Sequence, residues 1–254
     1  MENVFVISDA SLTQLKTADP DRCRAAMMAD AKGRDRLLCL YAFHHELAKV
    51  PEMVSEPMLG DIRYQWWRDV LSEIFENKPV RKHEVSTPLA AIFQDTDMPR
   101  FWADRLIDGR ARDLDPTPFA NIEAAREYCQ QTSGVLMQMA VKCLGGEPDD
   151  MVMKAGEAWG LAGLARAWRY YHKSMLSELL FEDLTAAATQ SYQEAQKFAG
   201  DEHKVFPAIG YAALIPKYIM RLTKSGHNPA EDVAQYAPFL KQMHLIRAAI
   251  TGKI

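Results

Sequence analysis

The stretch Trp159-Gly-Leu-Ala-Gly-Leu-Ala-Arg-Ala-Trp-Arg169 places small residues along one side of a predicted helix. With Gly156 one turn earlier, Gly160 and Gly163 put three glycines on nearly one face. Glycine in a helix interior costs about 1 kcal/mol relative to alanine. Such a face therefore indicates close approach of another helix or of a ligand, and the sequence alone favours helix packing.

On either side of this helix, almost every segment between prolines and glycines repeats its apolar residues at intervals of three and four. No segment sustains the alternation of a β-strand. The pattern predicts an all-α protein, with a long helix from about Ile122 to Leu144, another starting near Asp149, and a last one from Pro229 to Ile250. Neither a repeat nor a flexible linker divides the sequence, so residues 1–254 are expected to form one helical domain.

The 254 residues contain 30 lysines and arginines against 34 acids, which gives a net charge of −4 and a pI near 6.0. The basic residues are scattered, and this argues against a broad nucleic-acid-binding face. The four cysteines are far apart and form no C-x-x-C pair, so neither a zinc site nor a redox dithiol is expected. They are typical of reduced, buried thiols in a cytosol-like compartment.

The first residues, 1–9, include an early acid and no basic segment, so neither a signal peptide nor a mitochondrial presequence is expected. The longest apolar runs, such as 161–167 and 211–215, fall well short of the roughly 20 residues that span a bilayer. We therefore expect a cytoplasmic protein that associates with a membrane at most peripherally.

The sequence offers few metal ligands in suitable positions. No two of the seven histidines are four residues apart, the spacing that places two ligands on one helix face. Acidic pairs at that spacing exist, for example Asp104 with Asp108, but in a chain with 25% charged residues such pairs usually form a solvated face. We expect no metal site, and no G-x-S-x-G or Cys-His signature indicates a catalytic nucleophile.

Cationic and aromatic residues occur together at two places in the sequence. Arg166 and Arg169 are followed by Tyr170, and Arg63 precedes Tyr64. Basic groups with aromatic rings at the wall of a helical bundle suit an anionic head group on an apolar tail. The alternative, which spacing alone favours, is that these arginines extend over aromatic rings toward solvent.

Four segments are notable for their order along the chain: Arg36–Phe43, Leu106–Leu114, Glu127–Gly134 and Trp159–Arg169. They resemble the alYAF, li-x-G-x-x-x-D-l, Y-C-x-x-x-A-G and glycine-rich helix motifs of the squalene/phytoene synthases. These are all-helical enzymes that join two prenyl diphosphates head to head. The resemblance covers nearly the whole chain and implies a single-domain helical bundle of the isoprenoid synthase type.

The resemblance also implies two aspartate-rich motifs that hold Mg²⁺ and the substrate diphosphate, and this chain departs from both. Ala48, Lys49 and Glu52 occupy the positions of the first motif, and Tyr170-Tyr-His-Lys-Ser174 replaces the second. Without metal ions to neutralise the leaving diphosphate, ionisation of the substrate loses its main stabilisation. We therefore expect a non-catalytic protein that uses no cofactor.

A non-catalytic branch of the family is the nearer likeness. Its F-x-x-E-L-A-x-V and R-x-Q-[FW]-W patterns resemble parts of Ala42–Val50 and Leu59–Arg68, and this branch is associated with assembly of respiratory complex I, the NADH:quinone oxidoreductase. The resemblance implies complex I subunits or intermediates as partners, no nucleic acid, and a location that is cytoplasmic or peripheral to the inner membrane.

The pocket that remains is expected to hold an isoprenoid or other lipid. Its predicted lining is Tyr41, His44, His45, Arg63, Gly134, Gly163, Arg166, Arg169 and Tyr170. Two alternatives stay open. One is an active, Mg²⁺-dependent prenyltransferase that uses Glu46, Glu52 or the pair Asp104 and Asp108, and the other is a lipid carrier or peripheral membrane protein without turnover.

Overall fold

The computed structural model describes residues 5–115, 117–198, 203–233, 236–252 and 254. The α-helices are α1 (Asp9–Ala18), α2 (Pro20–Ala26), α3 (Ala31–Ala48), α4 (Val50–Met53), α5 (Pro57–Phe75), α6 (Ser86–Thr96), α7 (Arg100–Ala111), α8 (Ile122–Cys129), α9 (Val135–Cys143), α10 (Asp150–Arg166), α11 (Trp168–Tyr171), α12 (Phe181–Phe198), α13 (Phe206–Ile209), α14 (Ile215–Leu222) and α15 (Pro238–Thr251).

Shorter helical segments connect several of these helices: a π-helical segment at Gln130–Gly134 and 3-10 turns at Arg112–Leu114 and Gly210–Leu214. No strand occurs among the described residues, so the prediction of an all-α protein is confirmed. Within the same residues, no helix is both long enough and apolar enough to cross a membrane.

Short polar side chains cap several helix starts. Asp30, Asn121 and Asp149 each accept a hydrogen bond from the backbone N–H three residues later, at 2.7, 3.0 and 3.1 Å. Such a cap satisfies one of the four amide groups that a helix start leaves free. The start of α10 predicted near Asp149 is thereby confirmed. Gly145, with a φ of +76°, follows the end of α9 in the left-handed conformation that favours glycine.

Helix α10 lies at the centre of the bundle and packs against α8, α9, α12 and α14. Its first glycine approaches the π-helical segment: a Cβ atom on Gly156 would lie 2.6 Å from Cα of Gly134. A Cβ on Gly160 would lie 2.8 Å from Cβ of Cys129, whereas one on Gly163 would meet no atom within 4 Å. Gly156 and Gly160 therefore serve helix packing, as the sequence favoured, and Gly163 leaves open space beside α10.

A buried carboxylate ties α10 to its neighbours. Glu157 is fully buried and accepts hydrogen bonds from Arg126 Nη1 at 2.7 Å, Ser191 Oγ at 2.6 Å and Gln130 Nε2 at 2.7 Å. Burial alone would raise the pKa of Glu157, but these donors outweigh burial and the pKa lies below its ordinary value. The ionised carboxylate therefore holds α8, the π-helical segment and α12 against α10.

Two predicted helices differ from the structure. The helix predicted from Ile122 to Leu144 is interrupted by the π-helical segment. The last predicted helix is wrong over its first part, because α15 begins at Pro238 rather than Pro229; positions 234 and 235 of that prediction lie outside the described residues. Ala237 has an extended ψ of 133°, as expected for a residue before proline, and this places the start of α15 at the proline.

The glycine contacts predict opposite effects of one added methyl group. Gly156→Ala should lower the free energy of unfolding by about 1–3 kcal/mol, because the new Cβ overlaps the backbone of Gly134. Gly163→Ala should raise it by up to about 1 kcal/mol, because the methyl group enters open space and alanine favours the helix. Denaturant unfolding measures both effects, and equal shifts in the two variants would contradict the close approach.

Candidate functional site

A cavity of about 530 Å³ opens beside Gly163, on the side of α10 that this glycine leaves free. Trp159 and Leu164 of α10 and Tyr128 of α8 give part of its wall an apolar and aromatic character. The other lining residues are Arg22, Ala48, Pro51, Glu52, Arg110, Asp113, Leu114, Asp115, Thr132, Ser133, Gly160, Tyr171, Ser174 and Met175. A cavity of this size accommodates a small organic ligand.

Two distant segments of the sequence meet at this cavity. The end of α3 and the short α4 supply Ala48 and Glu52, and the end of α11 and the following turn supply Tyr171 and Ser174. These are the segments that the family resemblance places at the two aspartate-rich motifs. Among the described lining residues, Glu52 is the only acid that the two segments contribute.

A partly buried hydrogen-bond network supports one side of the cavity. Arg110 donates from Nη1 to Asp113 Oδ2 at 3.1 Å and to the Tyr128 hydroxyl at 2.8 Å, and its Nη2 lies 2.7 Å from His44 Nε2. Tyr128 in turn donates to Asp113 Oδ1 at 2.7 Å. Because arginine can only donate, His44 accepts through Nε2. Burial, and then the nearby Arg110, lower the pKa of His44 well below its ordinary value, so the ring is neutral.

The guanidinium of Arg22 is buried and forms another part of the wall. Its Nη1 pairs with Asp19 Oδ2 at 2.6 Å. Its Cζ atom lies 5.1, 6.0 and 5.9 Å from the ring centres of Tyr211, Tyr41 and Trp159. Burial acts to lower the pKa of Arg22, but Asp19 and Tyr211 outweigh it and the pKa lies above its ordinary value. The charge is therefore held within a cage of aromatic rings.

The acids of the cavity are mostly engaged with other parts of the protein. Both carboxylate oxygens of Asp113 belong to the network around Arg110. Asp115 accepts a hydrogen bond from the Thr117 N–H at 2.8 Å and lies 3.7 Å from Arg112 Nη1. Within the part of the chain that the structure describes, no group of three or more His, Cys, Asp or Glu side chains is placed to hold a metal ion.

The structure brings some of the nine predicted pocket residues to the central cavity. Gly163 lies at its wall. Tyr41 and His44 are buried behind the wall, next to its two arginines. Gly134 does not line this cavity; it packs against Gly156 and the Met153 side chain of α10.

The other five predicted residues lie away from this cavity. Arg63 lines a separate cavity of about 290 Å³ beside α5, and His45 is half-buried on α3. Arg166 lies 4.1 Å from the centre of a tyrosine ring of α14, at a groove between α14 and α15. Arg169 stacks on Tyr170, whose side chain is exposed. The five do not form one pocket. The sequence could not show this, because helical spacing identifies which residues share a face but not which helix that face meets.

Three residues of the site were missed at the level of sequence: Arg22, Arg110 and Tyr128. Arg110 and Tyr128 stand inside segments that carry the family resemblance, so a signal was present. Arg22 follows Asp19 at a spacing of three, which on most helices is an ordinary surface ion pair. Its burial depends on α2 packing against α3 and the turn 210–214, contacts that no local pattern reveals.

An all-α bundle with two helical segments meeting at a central cavity defines a protein of the isoprenoid synthase fold class. A solved dehydrosqualene synthase in complex with ligand superposes with a TM-score of 0.75 over 95% of each chain, at 15% identity. A squalene synthase from Alicyclobacillus acidocaldarius superposes with a TM-score of 0.62 over 95% of this chain and 92% of the other, at 13% identity. At such identities the likeness shows the fold alone.

A model of the squalene/phytoene synthase family matches residues 15–175, and the chain belongs to that family. Assembly factor 6 of NADH dehydrogenase (ubiquinone) complex I from Bos taurus and that from Homo sapiens are each 26% identical to the chain over 163 residues. The match covers 63% of this chain and 49% of each relative, so it spans about half the length of these curated relatives.

Protonation of His44 should destabilise the protein as the pH falls. Since its pKa is lower in the folded state than the ordinary 6.5, the unfolded chain binds the proton more readily. The stabilising contribution is complete above about pH 6.5 and is lost as the pH falls toward the folded-state pKa, by up to about 1.4 kcal/mol per pH unit.

Urea unfolding at several pH values between about 5 and 7.5 measures this loss. His44→Gln, which keeps an acceptor for Arg110, should reduce the pH dependence of the free energy of unfolding. The matched control His172→Gln, outside the network, should leave it as in the wild type. A pH dependence in His44→Gln that equals that of the wild type would rule out His44 as its source.

Proposed function

We propose that this protein is a non-catalytic member of its family that assists the assembly of respiratory NADH:quinone oxidoreductase and holds an isoprenoid or other lipid in its central cavity. The main support for this proposal is the set of side chains that line the cavity where the two motif segments meet. Ala48, Glu52, Tyr171 and Ser174 line the cavity there. A single carboxylate is too little to hold the metal ions of a diphosphate site.

The residues present do not fit a Mg²⁺ centre. This ion prefers carboxylate oxygens in near-octahedral geometry, together with phosphate oxygens of the substrate. Asp113 has both oxygens engaged by Tyr128 and Arg110, and Lys49 brings a cation to the first motif segment, where it pairs with Glu46. We therefore assign no step of a reaction to a metal ion at this site.

The rival proposal, an active prenyltransferase, has little support from its candidate acids. Asp104 and Asp108 on α7 pair with Arg100 at 3.2 Å and with Arg68 at 2.7 Å, and neither acid lines the central cavity. Glu46 lies at the separate cavity beside α5. Only Glu52 of the four acids reaches the site, so the acids do not act together there.

The cavity itself supports the binding of an amphiphilic ligand. Its volume of about 530 Å³ lies within the range of roughly 300–1,000 Å³ that is usual for ligand sites. Trp159, Leu164 and Met175 offer apolar surface, and Arg22 and Arg110 bring charged donors to the same walls. A molecule with an apolar chain and one polar group matches this division.

The assembly role is supported by the relatives. The two mammalian proteins are assembly factors of NADH dehydrogenase (ubiquinone) complex I. We extend that role to this chain and propose subunits or assembly intermediates of the same complex as its partners. A lipid bound in the cavity would then stabilise the fold or form part of the surface that contacts these partners.

Deleting the gene in its host tests the assembly role. We expect membrane NADH:quinone activity and the abundance of the assembled complex to fall, and the wild-type gene to restore both. Gly163→Phe, which places a ring in the open space of the cavity, should fail to restore them, whereas the matched Gly163→Ala should succeed. Unchanged activity and unchanged complex abundance in the deletion strain would refute the assembly role.

We also propose that α15 contacts a membrane surface. Phe239, Met243, Ile246 and Ile250 form a stripe at intervals of four, three and four, and their side chains are 40–74% exposed. The helix contains no acid, and Arg247 is exposed beside the stripe. Exposed apolar side chains next to cations suit an interface with anionic lipid head groups. A second copy of the chain would instead bring like charges together.

Sedimentation with vesicles that contain phosphatidylglycerol tests this contact. Phe239→Glu/Ile250→Glu should lose binding, because each lost apolar side chain removes up to about 1.5–3 kcal/mol and each new acid is repelled. Phe101→Glu, at a phenylalanine that is also exposed but lies on α7, should bind like the wild type. A double variant that still sediments with vesicles, or a wild type that only dimerises through α15, would contradict the proposal.

A further inference from the structure

Arg22 keeps two donors without a partner inside the bundle. Its Nη1 donates a hydrogen bond to Asp19, but Nε and Nη2 are buried and have no hydrogen-bond partner among the described residues. These two N–H groups point in parallel from one edge of the planar guanidinium, the edge that binds a carboxylate in bidentate fashion. The residue is only 4% exposed and lines the central cavity.

Two buried hydroxyl groups lie near Arg22. The hydroxyl oxygen of Tyr41 has no hydrogen-bond partner in the described part of the chain, and that of Tyr211 interacts with the Arg22 guanidinium without ordinary hydrogen-bond geometry. Their ring centres lie 6.0 and 5.1 Å from Cζ of Arg22. An unsatisfied buried polar group costs roughly 1–3 kcal/mol, and more when it is charged. Folded proteins seldom leave several such groups together, so the cluster points to a partner outside this chain.

The chemistry of this cluster selects an anionic hydrogen-bond acceptor. Guanidinium groups only donate, and a hydrocarbon end would satisfy none of the donors. Asp19 and Asp113 already balance the charges of Arg22 and Arg110, and Glu52 and Asp115 also line the cavity. One negative charge placed on the free edge of Arg22 is therefore tolerated better than the two or three of a diphosphate.

We propose that the cavity binds a long-chain monocarboxylic acid, with its carboxylate on Nε and Nη2 of Arg22 and its hydrocarbon chain along Trp159, Gly163 and Leu164. The inference rests on the proposed role of the cavity in holding a lipid, and it names the class of that lipid. It differs from an isoprenoid held tail first, whose apolar end would leave the donors of Arg22 unsatisfied.

Calorimetric titration of the delipidated wild-type protein tests the ligand class. The probes are palmitate, hexadecanol and farnesyl diphosphate. We expect palmitate to bind at least about tenfold more tightly than the other two, because it alone offers a bidentate acceptor with one charge at the end of a long chain. Tighter or equal binding of hexadecanol or farnesyl diphosphate overturns the carboxylate assignment while the lipid-holding role stands. Binding of none of the three refutes the lipid-holding role and the assignment together.

A variant pair locates the contact. Arg22→Lys keeps a cation for Asp19 but removes the bidentate edge, so the affinity for palmitate should fall at least about tenfold while that for hexadecanol is unchanged. The control Arg24→Lys lies on the same helix, pairs with Asp21 and does not line the cavity, so it should bind palmitate like the wild type.

Thermal unfolding and circular dichroism establish that both variants are folded. Unchanged palmitate affinity in folded Arg22→Lys overturns the proposed contact. Should this variant fail to fold, the comparison of palmitate with hexadecanol on the wild-type protein still decides the ligand class.

Discussion

The backbone contact between α10 and the π-helical segment is the constraint on which the rest of the site depends. Gly156 and Gly134 let the two segments approach so closely that a Cβ on Gly156 would lie 2.6 Å from the facing Cα. This approach places Trp159 at the cavity wall and leaves Gly163 beside open space. Glu157 reinforces it with hydrogen bonds to three neighbouring segments. Because protein interiors are densely packed, a side chain at Gly156 would displace α10 and with it the cavity wall.

The walls around this cavity carry charge, and ion pairs offset the desolvation of most of these charges. Arg22 pairs with Asp19, and Arg110 pairs with Asp113, so the cations and anions nearly balance. Of the three acids in the described lining, Asp113 is paired with Arg110 and Asp115 with Arg112, whereas Glu52 is in no ion pair with a described residue. The wall also presents directed donors, which suit a ligand with one acceptor group. The site therefore lies in its family's fold with most of its charges paired.

The helices could be predicted from sequence because their signals are local, as the cap at Asp149 shows. The meeting of segments 48–52 and 170–174 was implied by the family resemblance alone, since no local rule joins positions so far apart. Gly156 and Gly163 illustrate the limit, because identical residues in one helix have opposite roles that only their neighbours define. The burial of Arg22 could not be predicted from the sequence either, because it arises from contacts with distant parts of the chain.

We propose that this cavity binds its ligand without turning over prenyl diphosphates. The most direct measurement is incubation of the purified protein with radiolabelled farnesyl or geranylgeranyl diphosphate and Mg²⁺, followed by analysis of extracted products. We predict that the diphosphate remains intact with or without a chelator, because Glu52 is the only acid that the two motif segments place at the cavity among the described residues. A condensed prenyl product that forms with Mg²⁺ and disappears when a chelator is added would contradict this claim.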